Sequence, residues 1–160
     1  MIMEGIPCQV NTDRVEAFRA EIAKYPEIEI VASGVSNWST EKGLTLMENF
    51  LQKFSHIDAV WAGDDDVLIG ALKAYEESKR SDVKFFIGGG GSKAVIKRVL
   101  DGDPLVPFTV TYPPKMIYDA AMEAVTLEAG SNASGKLIQA PTDVVNIQNA
   151  KEYYFPDSAY

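Results

Sequence analysis

Three consecutive carboxylates follow an apolar segment near the middle of the chain. Residues 57–63 read Ile-Asp-Ala-Val-Trp-Ala-Gly, a pattern typical of a buried strand, and Asp64, Asp65 and Asp66 come directly after it. In an open α/β sheet, ligands bind at the carboxyl ends of the parallel strands. Carboxylates at that position hold a cation such as Mg²⁺, accept hydrogen bonds from a hydroxyl-rich ligand, or cap the following helix. The cluster by itself leaves these three roles open.

A run of four glycines, residues 88–91, follows a second apolar segment and precedes Ser92 and Lys93. Glycine-rich turns that open a helix can cradle a phosphate on backbone N–H groups. This run lacks the spacing of a phosphate-binding P-loop and of the dinucleotide fingerprint. The pattern therefore favours a tight turn that brings backbone close to a ligand or to a neighbouring loop.

Two further residues have types that suit ligand contact. Trp38 follows a predicted strand and precedes a predicted helix cap, so it is either a stacking platform for a ring or a packing residue over the sheet edge. Arg14 is predicted in the first turn of a helix, where the helix dipole disfavours a cation. A ligand oxygen is one candidate partner for this guanidinium, and a solvated side chain is the alternative.

Residues for proton-transfer chemistry are scarce. His56 is the only histidine, it precedes a strand at the edge opposite the aspartates, and Cys8 is the only cysteine. These residues suggest neither a zinc site nor a Ser–His–Asp arrangement. The sequence therefore predicts binding without catalysis, no cofactor and no metal.

Short apolar runs that alternate with helical patterns must position these residues. Strands are predicted at 28–33, 58–62, 83–88, 107–111 and 144–147, with 1–3 as the end of another. Helices are predicted to begin at Asn11 or Thr12, at Ser39, at Asp65 or Asp66, at Ser92 and at Pro114, with Gly102 and Gly130 ending the last two. Such alternation predicts an α/β fold, a doubly wound (flavodoxin-like) parallel sheet with helices on both faces and its strand-to-helix loops on one edge.

Composition narrows the class of protein. The chain has 160 residues, of which 46% are apolar, which suits one domain with a sizeable core. A net charge of −8 argues against nucleic acid and anionic membranes as partners. The sequence has no apolar run of membrane-spanning length and no signal peptide, so the chain as written is expected to stay in the cytoplasm and not to insert into a membrane.

Several segments resemble a known family. They are Gly5-Ile6-Pro7, residues 14–18, Asn37-Trp38-Ser39, residues 47–51, residues 57–65 and the Gly-Ala-Leu-Lys-Ala of residues 70–74. Together they look like the C-terminal lobe of the type I periplasmic sugar-binding proteins, the ribose-binding-protein-like solute-binding components of ABC importers. The resemblance covers nearly the whole chain.

The resemblance implies a set of ligand-binding residues: Arg14, Trp38, Asp64, Gly89, Gly90 and Tyr112. The chain departs from the family pattern in three places. Glycines replace the usual Phe-Asp-Gly, Asp64 replaces the usual Asn, and Tyr112 replaces a commoner Gln or Asn. These departures imply a ligand other than ribose, such as a larger sugar, a polyol or a compound with a donor-rich edge.

Family architecture implies further expectations. Residues 1–160 would form a single lobe, made of a core at 1–112, a helix at 113–130 that packs on an N-terminal lobe, and a returning strand and tail at 143–160. The complete protein would be periplasmic and would work with an ABC permease. Without the other lobe, the apolar face of Ile117, Ala121, Ala124 and Leu127 predicts a homodimer through this helix.

Two readings from other classes compete with the sugar-binding lobe. A receiver-type phosphoacceptor domain would use Asp64–Asp66 with Mg²⁺, but it needs acidic residues after the first strand, where this chain has Gly5-Ile6-Pro7-Cys8. A small phosphosugar enzyme would rest only on the glycine run and the aspartates. Of the three, we rank the sugar-binding lobe first and the enzyme last.

Overall fold

The computed structural model describes residues 1–112, 115–128 and 141–158, in which strands and helices alternate. The strands are β1 (Ile2–Glu4), β2 (Ser33–Val35), β3 (Ala59–Ala62), β4 (Phe85–Ile87), β5 (Phe108–Val110) and β6 (Val144–Asn146). The helices are α1 (Gln9–Ile22), α2 (Thr40–Lys53), α3 (Asp65–Ser78), α4 (Lys93–Leu100), α5 (Lys115–Glu128) and α6 (Ala150–Tyr153).

Four strands form a parallel sheet in the order β2-β1-β3-β4. β5 continues the sheet beside β4, because a parallel bridge joins Gly90 to Thr111 and the Phe86 N–H donates to the carbonyl of Leu105. β6 pairs with β5 in the antiparallel direction. The predicted parallel α/β fold is confirmed, and its strand order places the β1, β3 and β4 ends side by side at the edge where ligands bind in such sheets.

The core lies between the sheet and its helices. Ile2, Met3, Val60 and Phe86 of the strands are all buried. α3 carries the largest buried helical face and packs directly against α2. A Cβ on Gly70 would lie 2.0 Å from the carbonyl oxygen of Thr40, so only glycine permits these two helices to approach so closely.

Two predicted boundaries were wrong. Residues 28–32 are not a strand. On the β2 side of β1 the paired residues are Ser33–Val35, and the residues before them add one bond to β1, from the Ile2 N–H to the Ala32 carbonyl. Helix α1 begins at Gln9 after the N-cap Cys8, not at Asn11 or Thr12. The Asn11 side chain accepts the Gly5 N–H at 2.6 Å instead of capping, and Arg14 therefore lies in the second turn and not the first.

Other boundaries agree with the sequence patterns. Ser39 and Ser92 cap α2 and α4, and α3 begins at Asp65. Gly102, with φ of 74°, follows the end of α4. The predicted start at Pro114 and end at Gly130 of the fifth helix lie outside the described residues.

Candidate ligand-binding site

The predicted site residues all follow the carboxyl ends of strands or face them from α1. Trp38 follows β2, Asp64 follows β3, Gly89 and Gly90 follow β4, and Tyr112 follows β5. In the strand order β2-β1-β3-β4, the end of β1 lies between Trp38 and Asp64. The topology thus brings to one edge residues that are up to 74 positions apart in sequence, from Trp38 to Tyr112.

Asp64 is the buried acceptor at the end of β3, with 5% of its surface exposed. It is the N-cap of α3, and its Oδ1 accepts the Asp66 N–H at 3.0 Å. Its Oδ2 accepts the Tyr112 hydroxyl at 2.9 Å. Because each carboxylate oxygen can accept about two hydrogen bonds, both keep capacity for a donor from a ligand.

Arg14 completes a cluster with Tyr112 and Asp64, which we call the Arg14–Tyr112–Asp64 cluster. One Arg14 guanidinium nitrogen donates to the Gly63 carbonyl at 2.8 Å. The guanidinium carbon lies 4.9 Å from the centre of the Tyr112 ring, within the range of a cation–π contact. Three predicted residues, one from α1 and two that follow β3 and β5, are therefore joined by direct contacts.

Trp38 occupies the neighbouring strand end with an unusual backbone. Asn37 and Trp38 both have left-handed φ values, 54° and 55°. The indole lies on Gly5, where a Cβ would come within 1.8 Å of Nε1. Nε1 is buried and has no hydrogen-bond partner among the described residues. The structure therefore supports the packing interpretation of Trp38, with the indole seated on the β1 end.

The glycine run approaches neighbouring backbone closely. The Gly89 carbonyl accepts the Asp65 N–H at 2.9 Å, and the Gly90 N–H donates to the Val110 carbonyl at 2.7 Å. Gly90 and Gly91 have φ values of 147° and 74°, which favour glycine. The N–H of Ser92 also has a partner, Asp65 Oδ2, so the Gly90 and Ser92 N–H groups of this turn are both bonded within the chain.

Asp65 has a structural function that the sequence did not reveal. Its side chain is fully buried, and it accepts hydrogen bonds from the Ser92 N–H at 2.8 Å and the Thr109 hydroxyl at 2.9 Å. The pKa of Asp65 is raised to about 6, chiefly because burial disfavours the charged form. The Ser92 and Thr109 donors oppose this rise, and the Asp64 charge adds to it. The position of Thr109 in a buried strand was the one available signal, since a buried hydroxyl needs a partner.

Asp66 differs from its two neighbours. It is exposed, and partial burial followed by the Asp64 charge raises the pKa of its carboxyl group. Within residues 1–112, 115–128 and 141–158, no three His, Cys, Asp or Glu side chains are grouped so as to hold a metal ion. The three aspartates therefore have different surroundings: Asp64 caps α3, Asp65 is buried and hydrogen-bonded to neighbouring elements, and Asp66 lies on the surface.

The fold and this edge define a ligand-binding α/β lobe, and comparison with known proteins places it in a family. A profile of the periplasmic binding protein domain matches residues 1–132. The chain belongs to this family, whose members are solute-binding proteins of the periplasm and not enzymes. The phosphoacceptor alternative is thereby set aside.

The chain is similar in sequence to an import binding protein and in structure to solute-binding proteins solved with bound ligands. The chain is 31% identical over 144 residues to the D-apiose import binding protein of Actinobacillus succinogenes, covering 87% of this chain and 45% of that protein. It resembles an ABC transporter periplasmic solute-binding protein from the same species with bound D-allose, at 28% identity and a TM-score of 0.85, covering 95% of this chain and 54% of the other. A Bacillus halodurans solute-binding protein with bound myo-inositol gives 26% identity and a TM-score of 0.82, covering 96% of this chain and 53% of the other.

The chain thus spans about half the length of the relatives it matches. No helix in the described part of the chain is both long and apolar enough to cross a membrane.

Proposed function

We propose that this chain is the C-terminal lobe of a solute-binding protein for an ABC-type importer, and that it binds a neutral sugar or polyol without covalent chemistry. The observation that carries the proposal is the Arg14–Tyr112–Asp64 cluster at the strand ends, where a cation, an aromatic ring and a carboxylate with spare acceptor capacity meet. Hydroxyl groups donate to such a carboxylate and accept from such a guanidinium.

The ligands of the relatives support this class. D-allose and myo-inositol, the molecules in the two matched structures, are uncharged and carry several hydroxyl groups. Hydroxyl groups of such a ligand would donate hydrogen bonds to Asp64 and accept hydrogen bonds from Arg14. Gly89 and Gly90 would bring backbone rather than a carboxylate to the ligand, so the site would make fewer charged contacts than its relatives.

The remaining partners follow from the same proposal. An N-terminal lobe would close on the ligand from the other side, a permease would receive it, and the periplasm would be the compartment. In this arrangement residues 1–112 form the core, helix 113–130 packs on the other lobe, and residues 143–160 return to the sheet. Among the described side chains of α5, Ile117 and Val125 are 71% and 64% exposed, which agrees with a surface that another lobe or a second copy covers.

A thermal-shift screen of D-allose, myo-inositol, D-ribose and L-arabinose at millimolar concentration tests the proposal. At least one neutral compound should raise the unfolding temperature, and calorimetry should then give its affinity. Inorganic phosphate with Mg²⁺ is the matched control and should produce no shift. Binding of phosphate with Mg²⁺, without any response to the neutral compounds, would contradict the proposal.

Variants then locate the site. Asp64→Asn keeps a capping oxygen but loses the charge, so affinity should fall roughly 10- to 100-fold, the value of a hydrogen bond to a charged group. Tyr112→Phe should weaken binding less, because it keeps the ring under Arg14. Trp38→Ala should abolish binding if the indole face contacts the ligand.

The control variant is Asp66→Asn, which neutralises the exposed neighbour in the same acidic run. It should leave affinity unchanged. Equal affinities for Asp64→Asn and the unmodified protein would remove Asp64 from the site. Unchanged binding in Trp38→Ala would restrict Trp38 to packing on Gly5.

A further inference from the structure

We propose that Asp65 is the positioning residue of this site: its buried carboxylate ties the turn at residues 88–92 and strand β5 to the end of β3. The inference deepens the proposed function and rests on it for the ligand. Its structural part, the tie between three elements, is testable without any ligand.

Three hydrogen bonds of Asp65 reach two other elements. Its backbone N–H donates to the Gly89 carbonyl at 2.9 Å, and its Oδ2 accepts the Ser92 N–H at 2.8 Å. Its Oδ1 accepts the hydroxyl of Thr109 in β5 at 2.9 Å. One side chain therefore connects α3, the β4–α4 turn and β5.

Each of these partners adjoins a predicted ligand contact. Asp65 directly follows Asp64, Thr109 lies three residues before Tyr112, and the Ser92 N–H closes the turn that contains Gly89 and Gly90. The same tie thus sets the separation of Asp64 from Tyr112 and from the turn.

The backbone of Gly88 lies close to this carboxylate. A Cβ on Gly88 would lie 2.3 Å from Asp65 Oδ1 and 2.7 Å from Leu68. The turn therefore touches the carboxylate on its backbone side as well as through the Ser92 N–H. A smaller side chain at position 65 would leave Ser92 N–H and Thr109 without their acceptor in a buried space.

The charges around Asp65 come from few groups. On its own element they are Asp64, whose charge acts on it, and the exposed Asp66. α4 contributes Lys93, whose ammonium group donates to the carbonyls of Pro156 and Ser158. After β5, Tyr112 donates to Asp64, while β4, its glycine turn and the residues of β5 carry no charge.

Protonation should therefore loosen the tie. The ionised carboxylate accepts both donors, and hydrogen bonds to a charged acceptor are the stronger kind. In the neutral acid one oxygen carries a proton, so one of the two bonds must reverse or weaken. Since burial holds the pKa of Asp65 near 6, this change should fall between about pH 5 and pH 7.

The first experiment is an NMR titration of backbone amides in the unliganded chain from pH 4.5 to 8. We expect the Gly89, Gly90, Ser92 and Tyr112 amides to shift with one common midpoint near pH 6. Asp65→Asn should abolish this transition, because a carboxamide does not titrate. With one acceptor oxygen in place of two, it resembles the neutral acid. Asp66→Asn, the control, should keep the midpoint.

Thr109→Val provides a second variant that leaves Asp65 in place. It removes one donor that favours the ionised form, so the midpoint should move to higher pH. An unchanged midpoint in Thr109→Val would mean that Thr109 does not stabilise the ionised Asp65. Amides that do not titrate in the unmodified protein, or that titrate equally in Asp65→Asn, would overturn the proposal.

The ligand arm uses D-allose or myo-inositol, whichever stabilises the protein more. Affinity should fall about five-fold from pH 7.5 to pH 5 in the unmodified protein, as a charge-assisted contact becomes neutral. Asp65→Asn should bind with the lower affinity at both pH values. A sugar affinity that changes neither with pH nor with Asp65→Asn would refute the positioning role. Amides that titrate with pH in a protein that binds no sugar would contradict only the proposed function.

Discussion

Helices α3 and α5 have the same length, 14 residues, and opposite surroundings. α3 buries eight residues against α2 and the sheet, including Leu68, Leu72 and Tyr75. No described side chain of α5 is buried, although the helix carries Ile117, Tyr118, Met122 and Val125 on its surface.

The difference shows that an apolar helix face does not by itself define a core. The apolar face of α3 packs against α2, where glycines permit a close approach, and against β3 and β4. The α5 face has the same type of residues, but Ile117 and Val125 are 71% and 64% exposed. Burying the apolar face of α5 can therefore still stabilise association, whereas the apolar face of α3 is already buried by folding.

The largest contrast should appear when one large side chain is removed from each helix. Leu68→Ala should lower the free energy of unfolding by about 3 kcal/mol, because it leaves a cavity in a fully buried position. Ile117→Ala should change it by less than about 0.5 kcal/mol in the monomer. Urea unfolding at low protein concentration measures both, and equal losses would mean that α5 is buried in the monomer.

The pH dependence of stability should distinguish the start of α3 from ordinary surface acids. The pKa of Asp65 is about 6 in the folded state and near 3.8 in the unfolded state, so the folded state holds the proton longer. This raised pKa favours folding below about pH 4, and that contribution is lost as the pH rises to about 6.

Asp65→Asn removes this term. Between pH 4 and pH 7 its stability relative to the unmodified protein should therefore rise by about 2 kcal/mol. The contribution of Asp82 to stability has the opposite pH dependence. Arg80 holds the pKa of Asp82 at about 2, so this contribution is lost as the pH falls. The difference between variant and parent cancels that term, and a constant difference across pH 4–7 would rule out the raised pKa.

A glycine in α3 should reverse the usual helix preference. Alanine normally stabilises a helix by about 1 kcal/mol relative to glycine. Gly70→Ala should instead cost about 2 kcal/mol, since its Cβ would meet the α2 backbone at Thr40. Gly89→Ala is the control, because its nearest neighbour is the Val110 carbonyl at 4.0 Å. Thermal unfolding of both variants tests this, and a more stable Gly70→Ala would show that the two helices can separate at no cost.

The smallest effect on folding, and the most direct test of α5, concerns association. We expect a monomer–dimer equilibrium at tens of micromolar protein, shifted to monomer by Ile117→Asp. Thr126→Asp adds the same charge on the opposite face of α5 and should leave the equilibrium unchanged. Sedimentation velocity distinguishes these results, and a monomer at all concentrations would remove the second copy as a cover for this helix.

Much of this protein was determined by the sequence alone. Alternating apolar runs and helix caps such as Ser39 and Ser92 specified the parallel α/β fold, because strand and helix periods and capping are local properties. The same local patterns placed Trp38, Asp64, Gly89 and Tyr112 after strand ends. Topology rules then predicted that they share one edge.

Only the tertiary structure decided which of these residues touch and what each aspartate does. Asp64, Asp65 and Asp66 are the same residue type in sequence, but they differ in burial and in hydrogen-bond partners. Asp64 caps α3, Asp65 is buried and bonded to the β4–α4 turn and β5, and Asp66 lies on the surface. Likewise, the Asn11 side chain accepts the Gly5 N–H instead of capping a helix, and α1 begins before Asn11. These outcomes depend on neighbours distant in the chain, since hydrogen bonding and desolvation act through space and local patterns do not record them.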